Sequence, residues 1–120
     1  MSATLNGREL RPIEAKTADY TVVAGTDNGK TFTTEGASGA VVFALPAATV
    51  GQWYRFHVGA AQELRLDPNG TETIALPSTG AQSSAGAYIT ANAVGESVEI
   101  QCVVAGDWNV NSYIGTWTAV

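Results

Sequence analysis

Charge is what this chain has least of. Asp, Glu, Lys and Arg make up 14% of its 120 residues, against about 25% in an average soluble protein. The balance is acidic: six basic residues against eleven acidic ones, a net charge of −5. A nucleic-acid reader carries a basic stripe. None is present, so no nucleic-acid partner is expected. A single cysteine excludes an intramolecular disulfide and a cysteine-rich metal site. A single histidine excludes a multi-histidine metal site. No cofactor and no metal are expected. No apolar run approaches the roughly 18 residues of a spanning helix, so no membrane partner is expected. Residues 1–13 carry Arg8, Glu9 and Arg11 without a hydrophobic block, which does not fit a signal peptide.

What is present is ordinary apolar content, 45% of the chain. That is too much, with too little charge, for disorder. The length suits one domain with a core of its own. No segment holds a 3.6-residue apolar period over about twelve residues, whereas the period of two recurs. Residues 20–24 and 31–34 read as extended, separated by a turn with Asn28-Gly29 at its centre. Val41, Phe43 and Leu45 share one face, and Pro46 ends that strand because it cannot donate to a ladder. Residues 52–58 give the clearest strand, with Tyr54, Phe56 and Val58 on one side and Trp53, Arg55 and His57 on the other. Leu64 and Leu66 alternate with charges. Asp67-Pro68-Asn69-Gly70 is a strong turn, so residues 63–67 and 71–76 are expected to form a hairpin. Residues 78–87 (STGAQSSAGA) read as a long loop. Residues 88–90 form a short strand and residues 96–104 the longest one, with Val98, Ile100 and Cys102 inward and Glu99 and Gln101 outward. Segments 108–111 and 113–120 carry Trp108 and Trp117.

About eight or nine short strands with regular turn signals predict an all-β fold. The expectation is a compact antiparallel β-sandwich or barrel over residues 19–120. Residues 1–18 lack alternation and are expected to be an extended N-terminal arm.

Equipment for catalysis is thin. His57 needs a nucleophile and an orienting acid, and no G-x-S-x-G elbow is present. Cys102 sits at an inward position beside an acid rather than the basic neighbours a reactive thiolate needs. Asp67 to Glu72 matches only a fragment of a calcium loop. Glu63, Asp67, Glu72, Glu96 and Glu99 would make a hydrolase only by meeting in space, and their spacing gives that no support. No catalytic residue is assigned, and the chain is not expected to be an enzyme. The binding candidates stand out more. Trp53, beside Arg55 and His57, offers a surface for a partner or a carbohydrate if Tyr54 and Phe56 face the core. In the arm, Leu5, Leu10 and Ile13 are apolar anchors, and Arg8 and Arg11 are the only basic cluster. Such an arm can add a strand to a neighbour's sheet edge, with its arginines pairing to carboxylates there.

Three stretches carry a likeness. ADYTVVAGTDNGKTFTTEGASGAVVFALPAATVGQWYRFHV (18–58), AQELRLDPNGTETI (61–74) and AVGESVEIQCVVAGDWNVNSYIGTWT (93–118) resemble a small β domain of tailed-phage virion proteins. The likeness lies in turns and core positions, so it speaks to fold and origin and marks no active site. Such domains occur in capsid decoration (cement) proteins and within tail fibres. A free-standing domain with an N-terminal arm, without repeats or a coiled coil, looks most like a decoration protein. The resemblance implies a non-enzymatic virion component on the outer capsid surface. Its partner would be the major capsid protein, which it would bind as a homo-oligomer, in many cases a trimer. The alternative is a tail-fibre or tail-tip module that binds a host receptor or glycan.

Overall fold

The computed structural model describes residues 11–120 in full, together with the backbone of Thr4–Leu5 and Arg8–Glu9. In chain order the elements are β1 (Thr4–Leu5), β2 (Arg8–Glu9), β3 (Ile13–Ala15), β4 (Tyr20–Thr21), α1 (Ala24–Asp27), β5 (Thr31–Thr33), β6 (Val41–Ala44) and β7 (Trp53–His57). They continue with β8 (Leu64–Asp67), β9 (Thr73–Ile74), β10 (Ile89–Ala91), β11 (Ser97–Val104), β12 (Asp107–Ile114) and β13 (Thr118–Ala119). Strands β1 and β2 pair with each other. The rest form two sheets: a five-stranded one ordered β13-β10-β8-β6-β4 and a six-stranded one ordered β3-β5-β7-β11-β12-β9. The fold is an all-β sandwich.

The alternation read from the sequence fixes the core. Val41, Phe43 and Leu45 are buried from one layer, and Tyr54, Phe56 and Val58 from the other. Leu64, Leu66, Val98, Ile100 and Cys102 complete the same cluster. Phe43 of one sheet meets Phe32 and Phe56 of the other at centroid distances of 5.4 and 5.0 Å. Tyr54 packs on Trp108 at 5.7 Å. Trp117 closes one side, its indole N–H donating to the carbonyl of Ser97 at 3.1 Å.

The pairing is less uniform than the sequence suggests. Neighbours β3/β5, β5/β7, β4/β6, β6/β8 and β9/β12 are parallel. The cause is a chain that crosses between layers at almost every turn. From β3 to β10 successive strands lie in opposite sheets, so β3, β4, β5 and β6 each pair in parallel with the next strand but one; β8 and β10 pair antiparallel, and β7 neighbours β11 rather than β9. The hairpin expected across Asp67-Pro68-Asn69-Gly70 is therefore not formed. β8 lies in the five-stranded sheet and β9 in the other, and the turn carries the chain over the core edge. Leu64, Leu66 and Ile74 are all fully buried, each pointing inward from its own layer. Likewise the strand expected over residues 20–24 stops at Thr21. The chain then coils into α1, because the Asp27 carboxylate accepts the Val23 amide at 2.9 Å and closes a helical turn.

The expected long loop is tied down by main-chain bonds, Leu76 to Ala81 and Ser83 to Ile74, both at 2.9 Å, and by the Gln82 side chain. The Gln82 amide donates to the Trp108 carbonyl and to Asn109 Oδ1, both at 3.2 Å, and accepts from the Thr73 hydroxyl at 2.8 Å.

Tyr54 offers a test of the packing. Its hydroxyl is buried without a hydrogen-bond partner, and burial, aided by the charge of Asp27, pushes it up to about 12. A buried donor left unsatisfied costs about 1–3 kcal/mol. Tyr54→Phe is therefore expected to melt at the same temperature as the native chain or somewhat higher. A loss above about 1 kcal/mol in chemical denaturation would show that the hydroxyl contributes a bond after all.

Candidate functional site

The arm is in part a strand of the domain. β3 pairs in parallel with β5, Ile13 opposite Thr31 and Ala15 opposite Thr33. The Thr31 amide donates to Pro12 O and the Lys16 amide to Thr33 O, both at 2.9 Å. The domain is thus not bounded at residue 19; the sheet takes in residues 12–16, and β3 is its outermost strand. Ile13, expected as an apolar anchor, is 70% exposed there. Leu5 and Arg8 face each other in the register of β1 and β2. Their side chains, and Leu10 altogether, lie outside the described residues.

Arg11 does not reach outward with the arm. It folds back over the outer face of the six-stranded sheet, its guanidinium 4.5 Å from the centroid of the Trp53 ring. Trp53, Arg55 and His57 line that face as half-buried side chains, out of phase with the buried Tyr54, Phe56 and Val58. The neighbouring strand β11 sets Gln101 beside Trp53, Glu99 beside Arg55 and Ser97 beside His57. Glu99 thereby collects two arginines, Arg11 at 3.2 Å and Arg55 at 3.7 Å.

Next comes β12, with a local irregularity. Ile100 pairs with Val110 but Glu99 with Ser112, which leaves Asn111 as an extra residue. Such bulges re-aim side chains, often next to functional sites. Here Asn111 Nδ2 donates to Gln101 Oε1 at 3.0 Å and to Glu99 Oε2 at 3.4 Å. Arg11, Trp53, Glu99, Gln101 and Asn111 together line an open recess of about 220 Å³. The outward phase of Trp53, Glu99 and Gln101 is readable from alternation. The adjacency of β7 to β11, and the use of Asn111 and Arg11, are not.

The other carboxylates are engaged locally. Glu72 accepts the Ala48 amide at 2.9 Å. Glu96 accepts the amides of Thr116, Ala93 and Asn92; burial pushes its carboxyl up, but those amides outweigh it and hold it below the ordinary range. Glu63 holds Arg65 at 2.9 Å, and Arg65 in turn lies 3.9 Å from the Tyr88 ring centroid. Among the described residues no three His, Cys, Asp or Glu side chains gather as metal ligands. The Cys102 thiol is buried, which pushes its pKa up.

One further charged cluster joins the arm to the domain. Asp27 is fully buried and accepts from Lys30 at 2.9 Å and from the Tyr20 hydroxyl at 2.7 Å. Lys30 also reaches Glu14 of β3 at 3.0 Å, and Lys16 pairs with the same carboxylate. Lys16 in addition lies 3.8 Å from the Tyr20 ring centroid.

Comparison with protein-family models and with curated proteins gives no match. The outer face combines an aromatic plane, a guanidinium, a carboxylate and two amides; of these, Trp and Arg are the residue types enriched where proteins dock.

Proposed function

We propose that this chain is a bacteriophage capsid decoration protein, which binds the outside of the mature head and stabilises the shell. The observation that carries the reading is the placement of the N-terminal segment. β3 is laid on the open edge of the sandwich with Ile13 exposed to solvent, and the β1–β2 pair precedes it. An extended segment at a sheet edge, with an apolar side chain facing outward, is suited to strand addition with a neighbouring protein. The resemblance of residues 18–118 to small virion β domains supports the same reading. A ligand that binds only the expanded shell stabilises it by RT ln(1 + [L]/Kd) per site. Many copies add many such contributions.

Co-sedimentation with expanded heads and with unexpanded precursor shells tests this. The full chain is expected to pellet with expanded heads only. The variant lacking residues 1–10 keeps β3 and the core, so its melting curve is expected to match the full chain while its head binding is lost. Ile13→Asp is expected to weaken binding by roughly tenfold or more, about 1.4 kcal/mol. Decoration that survives removal of residues 1–10 would refute the role of the arm. Absence of binding to any head form by the full chain would refute the function.

A further inference from the structure

The recess beside Trp53 has a chemistry that capsid docking through the arm does not use. Trp108 and Trp117 are buried, at 0% and 4% exposure, so Trp53 is the tryptophan a surface ligand meets. Its main chain is bonded on both sides. The Trp53 amide donates to Asn28 Oδ1 at 3.0 Å, and its carbonyl accepts the Gly29 amide at 2.8 Å. Gly29 lies so close to the indole that a Cβ there would stand 3.2 Å from Cζ2; any larger residue in that turn would push the ring away. An aromatic plane on a backbone fixed in this way is a pre-organised platform.

Around the plane stand groups with spare hydrogen-bonding capacity. The Glu99 carboxylate has about four acceptor sites, and the amides of Gln101 and Asn111 each donate and accept. The bonds among them use only part of that capacity. Planar carboxylate and amide groups match pairs of adjacent hydroxyls, while a sugar ring offers an apolar C–H face to an indole. Glu99 is balanced by Arg11 and, from outside the recess, by Arg55 at 3.7 Å, so its charge stays offset when Arg11 moves and the recess suits a neutral ligand. At about 220 Å³ it is smaller than the ~300–1,000 Å³ of drug-sized pockets, which fits one ring rather than a chain of them.

We propose that this recess binds one neutral pyranose unit of a glycan. Trp53 is the stacking platform, and Glu99, Gln101 and Asn111 bind the hydroxyls. Arg11 is the cover. It is held by one ion pair and a cation–π contact and its side chain is 47% exposed, an arrangement weak enough for a ring to displace. The site shares Arg11 with the segment on which the shell reading rests, but glycoside titration and head binding are separate measurements.

The test is an amide-resolved NMR titration of the full chain. The probes are the methyl glycosides of glucose, galactose, mannose and N-acetylglucosamine at millimolar concentration. At least one is expected to give saturable shifts centred on Trp53, Glu99, Gln101 and Asn111. Trp53→Ala is expected to weaken it by more than about tenfold. Asn111→Ala, at an exposed position that leaves the fold intact, should weaken it by roughly threefold or more. Arg11→Ala is expected to bind as tightly as the native chain or more so. No saturable shift with any of the four glycosides would overturn the proposal. So would shifts that centre elsewhere, or affinity that survives Asn111→Ala and Trp53→Ala alike. Head binding, measured separately, is expected to be unchanged by Asn111→Ala.

Discussion

Replacing Asp27 with alanine is expected to lower stability by about 3–5 kcal/mol, the range for breaking a buried ion pair by removing one partner. The carboxylate is fully buried and serves three donors: the Val23 amide, the Tyr20 hydroxyl and Lys30. Removing it orphans a main-chain amide at the start of α1 and leaves Lys30 to Glu14 alone. Since domains of this size hold only about 5–15 kcal/mol in total, the variant should melt roughly 10–20 °C lower. Calorimetry of the variant and of Asp27→Asn separates shape from charge, because the amide keeps the volume and can still accept from Val23. Equal stability of Asp27→Ala and the native chain would mean that the cluster contributes nothing net.

The same group sets the acid limb of stability. Burial pushes the Asp27 carboxyl up, but Lys30, the Val23 amide and the Tyr20 hydroxyl outweigh it, and the result lies below the ordinary range. Hydrogen bonds from Lys16 and Lys30 hold the Glu14 carboxyl low as well. A folded pKa below the unfolded one gives stability that is complete above about pH 4–4.5, the unfolded value. It is lost as pH falls through the folded value. Unfolding midpoints should therefore be level from about pH 5 to neutrality and fall steeply below about pH 4. Asp27→Asn should flatten that fall.

The second large effect is at Phe56. Its ring lies 5.7 Å from Phe32 of its own sheet and 5.0 Å from Phe43 of the five-stranded one, and the Phe43 contact ties the two sheets together. Truncating a fully buried phenylalanine to alanine costs about 3–5 kcal/mol, because the cavity adds to the lost transfer energy. Phe56→Ala is expected to shift the urea midpoint accordingly, with the slope unchanged. Phe56→Leu should lose clearly less. A change at Phe56 no greater than at a surface position would mean the two layers are not joined through this cluster.

These residues show how far sequence alone reaches. The inward phase of Tyr54, Phe56 and Val58, and of Val98, Ile100 and Cys102, was legible because a strand buried on one face must alternate. Pairing was not. A turn such as Asp67-Pro68-Asn69-Gly70 specifies that the chain reverses, but both an in-sheet hairpin and a step across the core reverse it. Inward residues satisfy either arrangement. α1 was missed because its helical turn depends on one buried carboxylate rather than on periodicity. Pro12-Ile13-Glu14 reads as an arm because a three-residue edge strand has no period to detect. In the candidate site, Trp53, Arg55 and His57 were visible as an outward set. Their companions were not, since Asn111 arrives through a bulge and Arg11 by folding back from far along the chain.

We propose above that the chain belongs to the outer shell of a phage virion. Its copy number tests that most directly. On that proposal the chain is phage-encoded; virions carrying its gene would be purified, and the chain quantified against the major capsid protein by mass spectrometry. The account predicts hundreds of copies per particle, in fixed proportion to the shell subunit. Absence from the particle, or the handful to few dozen copies of a tail component, would contradict it.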